Sequence, residues 1–578
     1  MHVTPIPHAQ RPHPLRPAGE HAYRRWPAMK RADGAIFAAL ALWCALFVLT
    51  IVQYEPGERP VSWRECLLAA ALHLPFVAIL SFLFFGLIER FDYFRIAARP
   101  PRPGNLPRRT PKVCVQLPMF NEDAVAERAI AAACALDWPR ASLTVQVLDD
   151  STDEATKLRV RAFCEAIAAS TGVDCRWIHR TDRQGYKAGA LEAGRHMTDA
   201  EFFAIFDADF IPPPDFLTRA IPHFYDITGR AIVDLAVVQA QWGHLNDRES
   251  FLTCAQPLWV DDHHTLQKTW RSGVIGFVNF TGTAGVWRRE AIEAAGGWRA
   301  ASLVEDCELS IRALFAGYRT RFVGAIVAPA ELPSTIAAYR SQQKRWTQGW
   351  AQLQRLHMRT LLTRYPTPFA RRLYLTYFAG ICWQWFLWTA WIMVLPFLIA
   401  TGLWLGALGM ELAVAAYVLP PLFFAVLAGM IAANEARPTY ALQGRNGWRA
   451  RLMRMARVVP YMILNTGMMP HHFCAFLEGM FGPLHAEFVR TPKTAATDRA
   501  GAASTTRAAR PKARIKDTAY LKFELFFCLT LVAWAGFFVH AGQAFAAFWS
   551  LWILACVVGL RAAPALSALL AKDAAHAR

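Results

Sequence analysis

The sequence predicts an α/β domain of mostly parallel strands inserted into an α-helical bundle of about six transmembrane spans with interfacial helices. Three observations predict it: apolar runs long enough to cross a bilayer, clusters of basic residues beside those runs, and a middle segment in which short buried strands alternate with helical patterns. A chain of 578 residues exceeds one ordinary core, and 54% hydrophobic with 13% aromatic residues is richer in apolar surface than a soluble protein usually is.

The spans come first. Segments 35–53 and 66–88 carry no formal charge, and at 1.5 Å per helical residue they cover about 30 Å of hydrocarbon. Further candidates run over about 373–400, 412–433 and 525–541, and a sixth over 545–567 carries Arg561, whose side chain can snorkel to the interface. The amino-terminal arm (Arg11, Arg16, Arg24, Arg25, Lys30, Arg31), the loop with Arg445, Arg449, Arg451 and Arg454, and the stretch from Arg490 to Lys516 are all basic. Basic loops stay in the cytoplasm, which places all three, and the long segment 89–372, on that side. Residues 456–482 are nearly apolar enough for a seventh span, but crossing there would export the basic 490–516 stretch. With Pro460, Asn465, Pro470, His471, His472 and Glu478 inside it, an interfacial or re-entrant element is expected.

The organisation expected is therefore a basic cytoplasmic arm (1–34), two spans (35–88), a cytosolic domain (110–340), an interfacial region (341–372), two spans (373–433), an interfacial and basic region (434–523) and two last spans (524–567). The net charge of +18 is a topology signal, and no nucleic-acid reader motif accompanies it. The twelve cysteines show no metal-ligand spacing, so reduced thiols are expected. No cleavable signal peptide is expected, because Pro-rich residues 1–34 precede an apolar segment of full spanning length. An integral protein of a bacterial inner or plasma membrane, with its large domain in the cytoplasm, fits these features.

Within that domain KVCVQL (112–117), LTVQVLDD (143–150), FFAIFDAD (202–209) and LAVVQAQ (235–241) read as buried strands. Such sheets bind ligands outside the carboxyl ends of their strands, where Asp149, Asp150, Asp207 and Asp209 fall. Residues two apart on a strand share a side, so Asp207 and Asp209 can hold one Mg²⁺ or Mn²⁺ whose shell is completed by phosphate oxygens. On its own such a triplet is as often an ordinary surface loop. In RQGYKAGAL (183–191) Lys187 opens a helix and can meet a phosphate, and in VEDCELS (304–310) Glu305 and Asp306 open another. A first-turn carboxylate also has the plain role of complementing the helix dipole. In SQQKRWTQGW (341–350), Gln342, Arg345 and Trp346 share one helical face. Arginine pairs with diphosphates and tryptophan stacks on sugar rings.

These motifs, in this order, resemble the family 2 glycosyltransferases, and specifically processive membrane synthases with a D, D, D, QxxRW set. VQLPMFNE (115–122), QVLDDSTD (146–153), YKAGAL (186–191), GTAGVWR (282–288), AGGW (295–298) and ELPS (331–334) look like the plant cellulose synthase-like A and C subfamilies and their bacterial relatives. The resemblance implies a nucleotide-sugar-binding A-type domain. It implies Asp149 or Asp150 near the base and ribose, Asp207 and Asp209 at the diphosphate and its metal, Lys187 assisting, and Asp306 as general base. It further implies Arg345 at the leaving group, with Trp346, Gln342, Glu305, Gly282 and Thr283 beside the acceptor. FVRTPK is similar to the FxVTxK gating loop of cellulose synthases, keeping Phe488, Thr491 and Lys493 with Arg490 in place of valine. Thr281 stands where the plant-like pattern has asparagine, close to where the acceptor enters, so the acceptor or linkage is expected to differ. No cyclic-di-GMP-binding domain is recognisable.

The partners implied are a nucleotide-sugar donor, UDP-glucose or GDP-mannose, a growing polysaccharide acceptor and the lipid bilayer; envelope export partners and oligomeric state stay open. Trp383, Trp385, Trp388 and Trp391 crowd the third span, where rings can line a channel or simply belt the interface. For the pairs His263-His264 and His471-His472, channel or packing roles are expected ahead of metal coordination. A processive inverting β-glycosyltransferase making a β-1,4-linked glucan or mannan is the leading expectation. A synthase that glycosylates a ceramide or diacylglycerol, and a transporter or receptor with an idle cytosolic domain, are the alternatives.

Overall fold

The computed structural model of the chain describes residues 78, 79, 82, 85–123, 125–401, 427–431, 447–484, 516–542 and 544–576. The arm 1–34, the span 35–53, most of the spans 66–88 and 412–433, and the gating-like residues Phe488, Thr491 and Lys493 lie outside them.

The α/β unit runs β1 (Val113–Met119), α1 (Ala126–Cys134), β2 (Leu143–Asp149), α2 (Glu154–Thr171), β3 (Asp174–His179), α3 (Tyr186–His196), β4 (Phe202–Ile205), β5 (Leu235–His244), α4 (Phe251–Asp261), β6 (Gly285–Arg288), α5 (Glu305–Phe315) and β7 (Arg319–Ala330). The seven strands form one sheet in the order β3-β2-β1-β4-β6-β5-β7. All neighbours are parallel except β6, which runs antiparallel to both β4 and β5. The four strands expected from sequence correspond to β1, β2, β4 and β5. Strand β4 ends at Ile205, so Asp207 and Asp209 sit in the turn after the strand and not on its pleat.

Both faces of β1 and β2 are covered, which is why these strands read as nearly continuous apolar runs. Their two buried glutamines are the exception with a reason. The Gln116 amide donates to Gln146 Oε1 at 3.0 Å and to the Leu191 carbonyl at 3.2 Å, and the Gln146 amide donates to the Gly194 carbonyl at 2.9 Å. Buried amides need such partners, and here they seat α3 on the sheet. A Cβ on Gly194 would lie 2.7 Å from both glutamine side chains, so only glycine permits this approach.

The second half is helical: α6 (Ile336–Thr363), α7 (Phe369–Ala379), α8 (Trp383–Thr401), α9 (Trp448–Ala456), α10 (Val458–Gly467), α11 (Met469–Phe481), α12 (Lys516–His540) and α13 (Ala544–His576). The apolar run 373–400 is therefore broken between Ala379 and Trp383, around Gly380. The run 456–482 is also two helices, of 10 and 13 residues, both shorter than the roughly 20 residues a span needs. Helix α10 packs against α13 and α4, and α11 against α6 and α8. Residues 518–540 and 546–563 are long and apolar enough to cross a membrane, and only 33% and 28% of their apolar windows are buried, whereas a soluble core helix would be mostly covered. By length, composition and exposed apolar surface these two helices suit a bilayer.

Helical residues 85–97 tie the α/β unit to this helical half. Arg90 pairs with Asp262 at 2.6 Å, Glu89 with Arg271 at 2.9 Å, Trp270 donates its indole N–H to Asp92 at 3.0 Å, and the Tyr374 hydroxyl of α7 accepts from Arg271 at 2.9 Å and donates to Glu89. Breaking one member of a buried pair strands the other, so these contacts fix the relative placement of the two halves.

Candidate active site

The carboxyl ends of the strands open onto one cavity of about 1090 Å³. Its floor carries Asp150, Lys187, Asp207, Asp209, Glu305 and Asp306; Gln342, Arg345 and Trp346 line it from α6; and it continues past Trp385, Trp388 and Trp391 of α8 to Trp534 of α12 and Trp549 of α13. Residues scattered over more than 150 positions of sequence thus share a single space.

Each side chain is delivered by a local cause. Gly185 caps α3 in the left-handed region (φ +71°) and turns the chain so that Lys187, in the first helical turn, reaches inward. Its ammonium donates to Asp207 Oδ1 at 2.6 Å and to the Gly282 carbonyl at 2.8 Å. Gly282 itself has φ +79°, and a Cβ there would fall 3.0 Å from Asp306 Oδ2 and 3.3 Å from Lys187 Nζ. The bare backbone is what lets Asp306 and Lys187 approach this loop. Thr283 is buried and does not line the cavity; its hydroxyl accepts the Asp207 backbone N–H at 2.9 Å and so fixes the turn carrying that carboxylate.

Glu305 and Asp306 begin α5, as expected. Burial pushes the carboxyls of both residues above the ordinary range, each other's charge adds to this for Glu305, and Lys187 opposes it for both. Lys187 is pulled the other way: burial disfavours its charge, but Asp207 and Glu305 outweigh that and keep it a firm ammonium. A carboxylate whose protonation moves toward neutrality, in a cleft with fixed cations, has the properties of a general base.

Of the aspartate pair at β2, the structure brings only Asp150 to the cavity. Asp149 is fully buried, accepting the Trp177 indole N–H at 3.0 Å and the Ser151 backbone N–H at 2.9 Å. Asp150 is held in a two-pronged pair by Arg180, at 2.8 and 2.5 Å. Beside it the Arg183 guanidinium lies 3.4 Å from the centre of the Phe120 ring. Sequence reasoning missed Arg180 and Arg183, although RQG was in view; nothing local distinguishes them from solvated charges. It also missed Trp259 on α4, whose ring lies 5.9 Å from that of Trp346 and makes with it a two-ring wall of the cavity.

Gln342, Arg345 and Trp346 lie on one face of α6, which begins at Ile336 with Thr335 as its cap. Helix α6 is locked to α5 through Glu308. Its carboxylate takes Arg312 at 2.7 Å and His357 at 3.0 Å. Burial would raise this acid, but Arg312 and His357 outweigh burial and hold it at about 2. Because the folded-state value is depressed, its stabilisation is present above the unfolded carboxylate pKa and is lost as pH falls toward 2. Glu308→Gln should therefore cost about 3–5 kcal/mol by stranding Arg312, read as a lowered thermal midpoint in detergent at pH 7 that narrows as pH is reduced.

The tryptophans of α8 divide. Trp385, Trp388 and Trp391 face the cavity, whereas Trp383 does not line it and donates its indole N–H to Gln354. His472 stacks on Trp385 with ring centres 4.4 Å apart and shares a 2.7 Å hydrogen bond with Thr347. His263 bonds Gln267 at 2.9 Å. Among the described residues no group of three or more His, Cys, Asp or Glu side chains is placed to hold a metal. Asp207 and Asp209 both line the cavity, and two carboxylates are a donor set that suits a hard cation taking most of its shell from phosphate oxygens and water. The Lys187 ammonium already resting on Asp207 shows that the turn accommodates positive charge.

An α/β unit with acidic loops at its strand ends opens here onto an aromatic cavity among apolar helices. Residues 202–431 match the family described as Glycosyl transferase family group 2, and this part of the chain resembles the plant cellulose synthase-like A proteins. It is 45% identical over 246 residues to glucomannan 4-beta-mannosyltransferase 1 of Oryza sativa subsp. japonica, covering 42% of this chain and 46% of that one. It is 42% identical over 270 residues to glucomannan 4-beta-mannosyltransferase 2 of Arabidopsis thaliana, covering 46% and 49%. The chain thus spans about half the length of the curated relatives it matches. The solved mannosyltransferase PcManGT from Pyrobaculum calidifontis, in complex with GDP-Man and Mn²⁺, aligns with TM-score 0.42 and 20% identity over 68% of this chain and 99% of its own.

Proposed function

We propose that this chain is a processive, inverting β-glycosyltransferase that builds a β-1,4-linked mannan from GDP-mannose and passes it into the membrane as it grows. The observation that carries this reading is the continuity of one cavity from Asp207, Asp209 and Asp306 to the tryptophans of α8, α12 and α13. A hydrophilic polymer cannot cross hydrocarbon unaided, and stacked rings offer it a path. The plant relatives, named as mannosyltransferases, support mannose over glucose.

In this reading the acceptor's terminal hydroxyl meets Asp306, which takes its proton as the oxygen attacks the anomeric carbon from the side opposite the diphosphate. The C–O bond to the diphosphate breaks, its electron pair staying with the leaving group. Lys187 and Arg345 meet the charge that develops there, at no reorganisation cost because Asp207 and the Gly282 carbonyl already orient Lys187. Asp207 and Asp209 would hold Mg²⁺ or Mn²⁺, which adds positive charge at the diphosphate. Trp346, backed by Trp259, gives the acceptor sugar a flat face against which to stack, and Asp150 with Arg180 and Arg183 forms the end toward the nucleoside.

The test is to incubate the purified full chain with labelled GDP-mannose or UDP-glucose and Mg²⁺ or Mn²⁺, then size and digest the product. Long material cleaved by a β-1,4-mannanase is expected. A β-glucanase-sensitive polymer would overturn the donor assignment, and a single extractable glycolipid would overturn processivity.

A further inference from the structure

The loop that carries Gly282 contains a feature the proposed chemistry leaves unused. Asn279 and Thr281, two residues apart, both face the cavity, while Phe280 between them is buried in the core. Asn279 is only 3% exposed. Its amide nitrogen donates to Cys307 Sγ at 3.3 Å and more weakly to the Phe280 carbonyl at 3.4 Å, which fixes the flip and leaves Oδ1 buried with no hydrogen-bond partner among the described residues. An unanswered buried acceptor of this kind is destabilising unless a ligand or a water answers it.

Thr281 is fixed just as tightly. The Gln239 amide nitrogen donates to the Thr283 and Ala284 carbonyls at 3.1 and 2.9 Å, so its oxygen faces Thr281 and accepts both the backbone N–H and the hydroxyl of that residue, at 3.1 and 3.2 Å. The hydroxyl proton is thereby committed to Gln239. The fully buried Lys268 donates to the same Oγ1 at 3.1 Å. What Thr281 shows the cavity is a lone pair and no proton. Next along the chain, Gly282 lies against Asp306.

We propose that Asn279 Oδ1 and Thr281 Oγ1, braced by Gln239 and Lys268, form a proton-accepting subsite that reads the sugar hydroxyl neighbouring the one delivered to Asp306. The subsite selects acceptors that place a hydrogen-bond donor there. In a 4-linked hexose chain the neighbours of the reacting position are the 3-hydroxyl and the 6-hydroxymethyl group, and the subsite takes one of them. This inference rests on the glycosyltransferase reading above and deepens it. It also gives the departure at Thr281 a physical meaning: a hydroxyl locked as an acceptor replaces an amide that could also donate.

The experiment pairs Thr281→Val, which keeps the shape and removes the oxygen, with 4-linked manno-oligosaccharide acceptors that are intact, 3-deoxy or 6-deoxy at the terminal sugar. Transfer and donor hydrolysis are both followed in the full chain. The wild type should lose about tenfold in kcat/KM with one of the two deoxy acceptors. In Thr281→Val that discrimination should shrink to less than about threefold, because a contact already lost cannot be lost twice. A cooperative thermal unfolding transition in Thr281→Val separates a lost acceptor contact from a misfolded protein. Asn279→Leu provides the second variant and should erode the same discrimination. If Thr281→Val and Asn279→Leu discriminate among the three acceptors as the wild type does, the subsite assignment is overturned while the glycosyltransferase reading stands. If the wild type consumes no nucleotide sugar at all, the functional reading itself is overturned.

Discussion

Asp306→Asn should abolish transfer almost completely, by about 10²- to 10⁴-fold in kcat, while the KM for the donor moves by no more than a few-fold. The amide keeps the size of the side chain and can still accept the Cys307 backbone N–H that now holds Oδ1 at 2.8 Å. What it cannot do is take a proton. Donor consumption in the presence of acceptor, compared with nucleotide-sugar affinity by calorimetry, separates these effects. Retained turnover within tenfold of wild type would exclude Asp306 as the base. The pH profile carries the same claim in a second form. Burial raises the Asp306 carboxyl above the ordinary carboxylate range, and the base works only when ionised. The acid limb of kcat should therefore lie above the pH at which an unperturbed aspartate titrates, near 3.9. In Asp306→Asn the residual rate should lose that limb.

The second large effect is expected at the diphosphate end. Chelation of divalent cations should bring activity to background, and added Mg²⁺ or Mn²⁺ should restore it. Asp209→Asn should cost on the order of 10²-fold or more even in excess metal, because charge stabilisation of this kind is worth several kcal/mol. Asp209 is the cleaner position to test. Asp207 also anchors Lys187 at 2.6 Å, so substituting it would disturb two groups together. Full activity in chelator would show that Lys187 and Arg345 hold the leaving group unaided, and would remove the reason for pairing Asp207 with Asp209.

Several features of this site could be read from short windows because their causes are local. The apolar runs of β1 and β2, the acidic start of α5 and the i, i+3, i+4 spacing of Gln342, Arg345 and Trp346 all express periodicities of a few residues. So does the apolar length of α12 and α13. Other features depend on partners far away in sequence. Strand β6 has four residues, too few for a period, and it exists because β4 and β5 supply its hydrogen bonds from both sides. Strand β4 stops at Ile205, so the Asp207-Asp209 pair is arranged by a turn braced by Thr283 and not by strand alternation. The break around Gly380 is invisible to hydropathy, which measures apolar length and not continuity of a helix.

By itself, then, the sequence determined which segments are apolar enough for a bilayer, which segments form the central strands, and which acids and cations are available for the chemistry. Only the tertiary structure decided that Asp149 is spent on Trp177 while Asp150 faces the cavity, that Trp259 backs Trp346, and that Lys268 and Gln239 lock the Thr281 hydroxyl. The physical reason is that burial and hydrogen-bond partnership belong to pairs of residues brought together by folding. A linear pattern can say what a side chain is able to do, and its neighbours in space settle which of those things it does.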